Sequence, residues 1–313
     1  MSTSISSNKP LTHKQLLVDL LLRKYKPHRA WKRGRFYNKF IFRSACSPFV
    51  SYRYFSSLAR LKNLPLILET HGILPAKIHR PYLIGGLKAS QRAEKIISHY
   101  QRIEQLGQSE LTAFLSGQRC ETPLLSWLGK NDEPINIYCV PAIFDREGEL
   151  TLMFHFREEA ITSLSFSLAD YQRKPSIIIA GLQGPGRHLD QNIIRDATKA
   201  CEGIFPKRLL IEAIMLIAKA CNLTQICAVG DDSHIFVKEL RYRFSKRELI
   251  HARYNEFWTT LGGEEQSTKL FLLPLTQPRK SIEDIASKKR AEYRRRYQLL
   301  DDLQQQIDQK GAQ

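Results

Sequence analysis

The chain has 313 residues, of which 42% are hydrophobic and 10% are aromatic. This content is enough to bury a core, so an intrinsically disordered protein is excluded, and the length allows two domains or one domain with appendages. Lys and Arg number 48 against 31 Asp and Glu, and the resulting net charge of +17 favours a partner that carries negative charge.

The sequence contains neither a membrane-spanning pattern nor a secretory-signal pattern. No stretch approaches ~18 apolar residues, which excludes a transmembrane helix. The first apolar run, 16–22, is interrupted by Asp19 and is not followed by a small-residue cleavage site, so it does not resemble a secretory signal. The six cysteines form no CxxC pair and have no His at metal-ligand spacing. We therefore expect a cytoplasmic protein with reduced, mostly buried thiols and no metal site.

The positive charge is concentrated at the start of the chain. Residues 1–60 hold thirteen Lys or Arg and one acid, Asp19, and between Arg23 and Tyr37 basic and aromatic residues alternate. Such a segment can place cations against phosphates and rings at a membrane interface or on nucleic-acid bases; the alternatives are a solvated arm or the basic face of a helix that lies on the domain. The candidate residues for an anionic surface are Arg23, Lys24, Lys26, Arg29, Lys32, Arg33 and Arg35.

The first 130 residues are predicted to be mainly helical. Apolar spacings and capping residues predict helices over 13–22, 49–61 and 91–106, with short helical pieces over 109–114 and 122–129. Residues 65–81 contain three prolines and are expected to be rich in loops.

The apolar period then changes from that of a helix to that of a strand. Strands are predicted over 135–144, 149–156, 161–168 and 176–182, and the turn at 145–148 joins the first two. Helices follow over 190–202 and 207–221, then a strand over 224–229, a helix over 254–261, a strand over 269–275 and a basic C-terminal helix. The residues expected to form a common core are Leu152, Phe154, Phe166, Ile178, Leu210, Ile214 and Ile217.

These elements predict an α+β fold, in which an antiparallel meander extends into a mixed sheet with packed helices and a helical N-terminal region. We expect a basic N-terminal arm over 1–44, a helical region over 45–130 packed on the core, an α+β core domain over 131–280, and a basic C-terminal helix over 281–313.

Two short segments carry candidate functional residues. Asp231 and His234 follow a predicted buried strand, where α/β sheets place ligands, and they could act as an acid–base pair; the alternative is a capping or turn role. Gln183, Gly184, Gly186 and Arg187 form a turn whose N–H groups and cation could meet a phosphate, although Pro185 removes one donor and a plain tight turn is the alternative. The signatures of P-loop, Rossmann, metalloprotease and serine-hydrolase sites are absent from the sequence.

Several segments, in order and spacing, resemble the VirK/YbjX family of enterobacterial proteins over about residues 45–305. The segments are His79-Arg80-Pro81-Tyr82-Leu83, Arg92-Ala93, His99-Tyr100, Leu150-Thr151-Leu152, Leu164-Ser165-Phe166-Ser167-Leu168, Leu182-Gln183-Gly184-Pro185, Ala197-Thr198-Lys199, Phe205-Pro206-Lys207, Val229-Gly230-Asp231, Phe257-Trp258, Gly262-Gly263 and Lys289-Arg290 to Arg296-Tyr297. The resemblance implies a Gram-negative host and an association with virulence, with survival inside host cells and with resistance to cationic antimicrobial peptides. It implies no established reaction and no catalytic residue.

The order of elements also resembles the GNAT acyltransferase fold, in which a meander is followed by a Gly-bearing turn, a helix and a strand. Gln183-x-x-Gly186 matches the first part of that fold's [RQ]-x-x-G-x-[GA] motif, but His188 stands where Gly or Ala belongs, and the predicted helix 190–202 is additional. This resemblance implies CoA or acyl-CoA as a ligand; otherwise no cofactor is expected.

Three functional classes therefore stay open, and the sequence leaves undecided whether the protein is an enzyme. The first is a virulence-associated accessory protein that supports the envelope, peripheral at the inner face of the inner membrane, with an anionic membrane surface, an envelope component or a virulence protein as partner. The second is a GNAT-like acyl or related group transferase that acts on an envelope component. The third, nucleic-acid binding, is favoured by charge and by no motif.

Overall fold

The computed structural model describes residues 13–186, 188–190, 192–238 and 253–312. The chain divides into two compact units, of which the first comprises Met1–Arg80 with Lys88–Ile97 and the second comprises Pro81–Leu87 with Ser98–Gln313. The domain boundaries expected at 44, 130 and 280 stay a prediction. Among the described residues, no helix combines the length and the apolarity that are needed to cross a bilayer.

The first unit is helical, as its apolar spacing predicts. The expectation of a loop-rich passage over 65–81 is wrong, because most of it forms a helix and a 3-10 turn, with prolines in their first turns. Pro48 lies in the first turn of its helix, where the missing N–H costs no hydrogen bond, and this position lets a new helix begin directly after the previous one. The helices are α1 (His13–Leu21), α2 (Gly34–Cys46), α3 (Pro48–Leu58), α4 (Leu64–Thr70) and the beginning of α5 (Ala89–Gln105), with 3-10 turns at Arg29–Lys32 and Leu74–His79.

Trp31 fixes the basic segment within this unit. Its indole N–H donates to the carbonyl oxygen of Gly72 at 2.7 Å, and its ring meets Phe36 and Phe40 edge-on, with centroids 5.2 and 5.0 Å away. A Cβ on Gly72 would lie 2.2 Å from the carbonyl oxygen of Pro27, so the two backbones can approach this closely only because residue 72 is glycine. The described part of the expected arm is therefore folded, with Trp31 and Phe40 buried.

The second unit is built on one eight-stranded sheet. Its strand order is β1-β2-β3-β4-β5-β6-β8-β7, and every neighbouring pair is antiparallel except β5 with β6. This arrangement confirms the predicted α+β fold, with a meander that extends into a mixed sheet. The strands are β1 (Leu125–Leu128), β2 (Pro134–Pro141), β3 (Leu150–Phe156), β4 (Glu159–Leu168), β5 (Ser176–Gln183), β6 (Gln225–Val229), β7 (Glu264–Glu265) and β8 (Leu270–Leu273).

Helices complete this unit. The two that connect β5 to β6 form the crossover that a parallel pair requires. Among the described residues, the helices after α5 are α6 (Glu110–Leu115), α7 (Ile193–Ala200), α8 (Pro206–Ala220), α9 (Ile235–Lys238), α10 (Tyr254–Thr260) and α11 (Ser287–Ala312).

The parallel pairing of β5 with β6 is short. It ends where Ile179 lies opposite Ala228, although β5 continues to Gln183. Beyond that point the N–H of Leu182 donates to the hydroxyl of Tyr254 in α10 at 3.3 Å. A side chain from a helix therefore occupies the position where a longer β6 would have continued the sheet.

The core lies mainly between the meander and α8, as the sequence predicts. Six of the seven expected core residues belong to it. Ile178 is also buried but lies outside this core, because its neighbours Ile177 and Ile179 take the inward positions of β5. The predicted helical piece over 122–129 is wrong: Leu125–Leu128 forms the edge strand β1, which pairs with β2.

The outer edge of β1 is occupied by a side chain of α11. The amide of Gln306 accepts a hydrogen bond from the N–H of Ser126 at 3.0 Å and donates one to the carbonyl oxygen of the same residue at 2.9 Å. Both backbone groups that Ser126 presents outward are thereby satisfied.

Candidate functional site

A buried carboxylate and imidazole face each other in the sheet unit. Glu147 lies in the turn between β2 and β3, and His234 lies between β6 and α9. Oε1 of Glu147 is 3.6 Å from Nε2 of His234, and the two side chains are 1% and 3% exposed. Nδ1 of His234 accepts from the N–H of Phe236 at 3.4 Å, whereas Nε2 has no hydrogen-bond partner among the described residues. That nitrogen therefore faces the Glu147 carboxyl group across a gap longer than a hydrogen bond.

The absence of a side chain at Gly181 leaves space for the Glu147 carboxylate. A Cβ on Gly181 would lie 1.9 Å from Oε2 of Glu147, so the carboxylate rests directly on the backbone of β5. Two strand positions further along, Nε2 of Gln183 donates to the same oxygen at 3.4 Å. The structure thus brings two predicted site residues, Gln183 and His234, to a third residue that sequence reasoning missed.

Sequence reasoning assigned Glu147 only to a turn, where a carboxylate is normally solvated. The neighbouring Gly148 is the signal that could have drawn attention to Glu147. A Cβ added at Gly148 would lie 2.4 Å from the carbonyl oxygen of Phe166. That close approach carries the turn inward over β4. From the sequence alone, nothing pairs Gly148 with β4 or Glu147 with β5.

Tyr254 of α10 packs against the buried pair of Glu147 and His234. Its ring stacks on His234 with centroids 5.6 Å apart and on Trp258 with centroids 6.0 Å apart. Burial, and then the charges of Glu147 and Asp231, raise the pKa of Tyr254, while the hydrogen bond from the Leu182 N–H opposes the rise. The phenol therefore keeps its proton at neutral pH. A carboxylate, an imidazole and a phenol ring thus lie close together in the interior of the sheet unit.

Asp231 holds the first turn of α10. Its carboxylate accepts hydrogen bonds from the N–H groups of Tyr254 at 2.9 Å and Asn255 at 3.5 Å, and its own N–H donates to Oδ1 of Asn255 at 2.8 Å. These contacts are of the capping kind and fix the position of Tyr254. The catalytic assignment of Asp231 and His234 stays a prediction.

The predicted ligand turn lies at the end of β5. Gly184 and Gly186 are exposed; nothing lies within 4 Å of a Cβ on Gly184, whereas the ring of His188 would lie 2.5 Å from a Cβ on Gly186. The imidazole therefore covers the second glycine. Arg187 lies outside the described residues, and the ligand-binding assignment of this turn stays a prediction.

The seven cations proposed for an anionic surface are all exposed. Within the described ranges, none of the seven forms an ion pair, and the guanidinium of Arg23 lies over the ring of Tyr37, 4.0 Å from its centroid. Of the aromatic residues that alternate with them in sequence, Trp31 is buried, and Tyr25, Phe36 and Tyr37 are half-buried. Two other aromatic residues of the same unit face outward: Phe42 is 70% exposed and Phe49 is 84% exposed.

Four of the six cysteines are buried, as expected. Burial raises the pKa of Cys139, Cys201 and Cys221 to about 12, so these three side chains stay thiols at neutral pH and are poor nucleophiles. In the part of the chain that the structure describes, no three His, Cys, Asp or Glu side chains gather to hold a metal ion.

The chain matches the family model described as "Protein of unknown function (DUF535)" over residues 29–309. It is 36% identical over 307 residues to "Uncharacterized protein YbjX" of Escherichia coli (strain K12), which covers 97% of this chain and 92% of that protein. Two proteins of Haemophilus influenzae, each named "Uncharacterized protein", match parts of it: one is 36% identical over 135 residues, covering 42% of this chain and 43% of that protein, and the other is 30% identical over 155 residues, covering 49% of each.

Proposed function

The chain belongs to the VirK/YbjX family (DUF535), and from this premise we propose that its helical unit docks on an anionic membrane surface. In this role the protein is a virulence-associated accessory protein of a Gram-negative envelope, peripheral at the inner face of the inner membrane, that supports survival inside host cells and resistance to cationic antimicrobial peptides. The observation that carries the proposal is the exposure of all seven cations between Arg23 and Arg35.

The seven cations form no ion pair within the described ranges. Because no described carboxylate pairs with these seven side chains, binding to lipid phosphates breaks no ion pair within the protein. Each exposed Lys or Arg at such a surface contributes about 1 kcal/mol, and the attraction decays over a Debye length of about 8–10 Å. Trp31 fixes the segment on the folded unit, so little chain ordering is needed on binding.

Exposed apolar side chains of the same unit favour a membrane, rather than a water-soluble polyanion, as the binding partner. Phe42 in α2 and Phe49 in α3 expose most of their rings, and Leu22 beside α1 is 59% exposed. Large apolar residues combined with Lys and Arg are typical of elements that lie in the interface of a bilayer. A nucleic-acid duplex would use the cations but would not need these side chains.

The test is sedimentation of the full chain with vesicles that contain phosphatidylglycerol, against vesicles of phosphatidylcholine. A triple Gln variant at Arg29, Lys32 and Arg33 removes about 3 kcal/mol, so we expect binding to weaken on the order of 10²-fold. The matched control carries Gln at Lys288, Lys289 and Arg294, which are exposed on α11 and remove the same total charge.

The control should bind nearly as well as the unaltered chain. Equal losses in both triple variants would show that only net charge matters and would contradict a docking surface on the helical unit. Competition by duplex DNA at equal phosphate would instead favour nucleic-acid binding. A Phe42→Ala, Phe49→Ala variant that binds as strongly as the unaltered chain would refute the apolar contribution.

A second candidate, a GNAT-like acyl or related group transferase, is favoured by one specific observation. The parallel pair β5–β6 ends beside the buried His234 and Glu147, within a strand order that continues a meander through a crossover. The test is calorimetric titration with CoA and acetyl-CoA, repeated on Arg187→Ala. Saturable binding that the variant loses would support a transferase. Absence of heat at millimolar ligand would count against it and leave the accessory role.

A further inference from the structure

A groove of about 600 Å³ lies on the sheet unit between α8, α11 and residues 275–280. None of the candidate site residues that the structure describes lines it. The two helices run side by side in the same direction, because Arg296 of α11 donates to the carbonyl oxygen of Glu202 before α8 begins, and Gly311 lies close to Ala220 where α8 ends. The lining residues of α8 extend from Arg208 to Lys219, which makes the groove about 16 Å long.

Hydrogen bonds hold the third wall of the groove to both helices. Arg208 donates to the side-chain oxygen of Gln277 at 3.0 Å, and the hydroxyl of Tyr297 donates to the carbonyl oxygen of Lys280 at 2.9 Å. The guanidinium of Arg279 is 2.7 Å from the carboxylate of Asp301. The groove therefore keeps its shape without a ligand, which lowers the entropic cost of binding one.

The groove combines an apolar floor with a basic rim. Met215, Leu216 and Leu300 contribute apolar surface. Among the described residues that line it, five are cations and one is an acid: Arg208, Lys219, Arg279, Lys280, Arg296 and Glu212. Arg279 and Arg296 already pair with carboxylates outside the lining, whereas Lys219 and Lys280 have no ion pair among the described residues.

Glu212 reduces this positive charge only in part. Burial raises the pKa of its carboxyl, and the nearby Arg208 and Arg279 oppose the rise. The nitrogen of Arg208 lies 3.8 Å from the carboxylate, so one acid and one cation of the lining largely neutralise each other. The positive charge that is left available lies with the two unpaired lysines.

We propose that this groove binds an anionic amphiphile, with a phosphate or carboxylate head beside Lys280 and an acyl chain along Met215, Leu216 and Leu300. An inorganic anion would leave the apolar floor in water, and a neutral lipid would leave the lysine without a counter-charge. The rings of Tyr293 and Tyr297 are already covered by guanidinium groups, with Arg296 4.4 Å and Arg279 5.3 Å from the centroids, which favours a lipid-like ligand over a stacked nucleotide base.

The test is calorimetric titration of the full chain with dodecyl phosphate below its micelle concentration. Inorganic phosphate tests the head group alone. Dodecyltrimethylammonium tests the same alkyl chain with a positively charged head group. We expect saturable one-to-one binding of dodecyl phosphate only. Lys280→Met should weaken it on the order of tenfold through loss of a charged contact, and Lys288→Met, on α11 outside the groove, should leave it unchanged.

Leu216→Trp fills the floor without a change of charge and should abolish binding while the melting temperature confirms folding. Equal affinity of Lys280→Met and Lys288→Met, or saturable binding of the cationic analogue, would overturn the proposal. Vesicles of phosphatidylglycerol distinguish the source of the ligand: if Leu216→Trp also weakens vesicle binding, the groove takes a bilayer lipid, and if it does not, the groove takes a free amphiphile. The triple Gln variant of the helical unit should retain dodecyl phosphate binding, so the two proposals fail separately.

Discussion

Substitution of Gly181 by Ala tests the buried carboxylate most directly. The new Cβ would lie 1.9 Å from Oε2 of Glu147 and 2.7 Å from its Cδ, distances that real structures do not tolerate. Because the carboxyl group is 1% exposed, it cannot move toward water without breaking its contacts with Gln183 and His234. We expect the variant to lose about 3 kcal/mol of unfolding free energy, the upper end of the range for overpacking a core.

The measurement is denaturant-induced unfolding followed by far-UV circular dichroism, with Gly184→Ala as the matched control. Nothing lies within 4 Å of a Cβ on Gly184, so that variant should stay within about 0.5 kcal/mol of the unaltered chain. A double-mutant cycle with Glu147→Ala separates the clash from other effects. Once the carboxylate is gone, the methyl group fits, and the two changes should be non-additive by more than about 1 kcal/mol.

Two results would refute this reasoning. If Gly181→Ala is as stable as Gly184→Ala, the carboxylate does not rest on β5. If Gly181→Ala and Glu147→Ala add without coupling, the cost of the methyl group arises somewhere other than at Glu147.

Three further expectations concern packing and pH. Phe154→Ala should cost about 3–5 kcal/mol, because the ring is fully buried between the meander and its helices, and a soluble variant with an unchanged melting temperature would contradict that assignment. Gly72→Ala places a Cβ 2.2 Å from a backbone carbonyl oxygen and should lower the melting temperature, whereas Gly34→Ala, with nothing within 4 Å, should not. Burial, and then Arg43 and Arg92, lower the pKa of His79 from 6.5 to about 4, so the unfolded chain binds a proton that the folded chain does not, and stability should fall as the pH drops from about 6.5 to about 4. His79→Gln should flatten that part of the stability profile in denaturant titrations at stepped pH; an unchanged slope would contradict it.

The sequence predicted the meander well because each of its strands carries its own period. Leu150, Leu152, Phe154 and Phe156 alternate with more polar neighbours, and all four are buried as predicted. Residues 125–128 are too short to show any period, and they form a strand because Leu125 lies opposite Ile137 in β2. Pairing with the next strand along the chain decides such an element, so the helical pattern upstream was a poor guide.

Some residues of the candidate site could be predicted from the sequence and others could not. His234 and Gln183 could be selected because they follow apolar strands, where functional side chains are often placed. Glu147 could not be selected, since its burial depends on the absence of a side chain at Gly181, 34 positions later in the chain. The reason for a glycine at position 181 is apparent only in the folded chain, where pairing of β4 with β5 brings Gly181 to Glu147.

The contact between Gln306 and Ser126 has a consequence for how copies of this chain meet one another. An edge strand with open N–H and C=O groups is a template on which a second molecule can add its own strand. Here a single amide, which offers one donor and one acceptor, closes the hydrogen-bonding positions in the middle of the four-residue strand β1. What remains open on either side is too short to support a stable intermolecular ladder. The C-terminal helix thus guards the chain against edge-to-edge aggregation, a property that counts most at the high local concentrations reached when proteins gather on a surface.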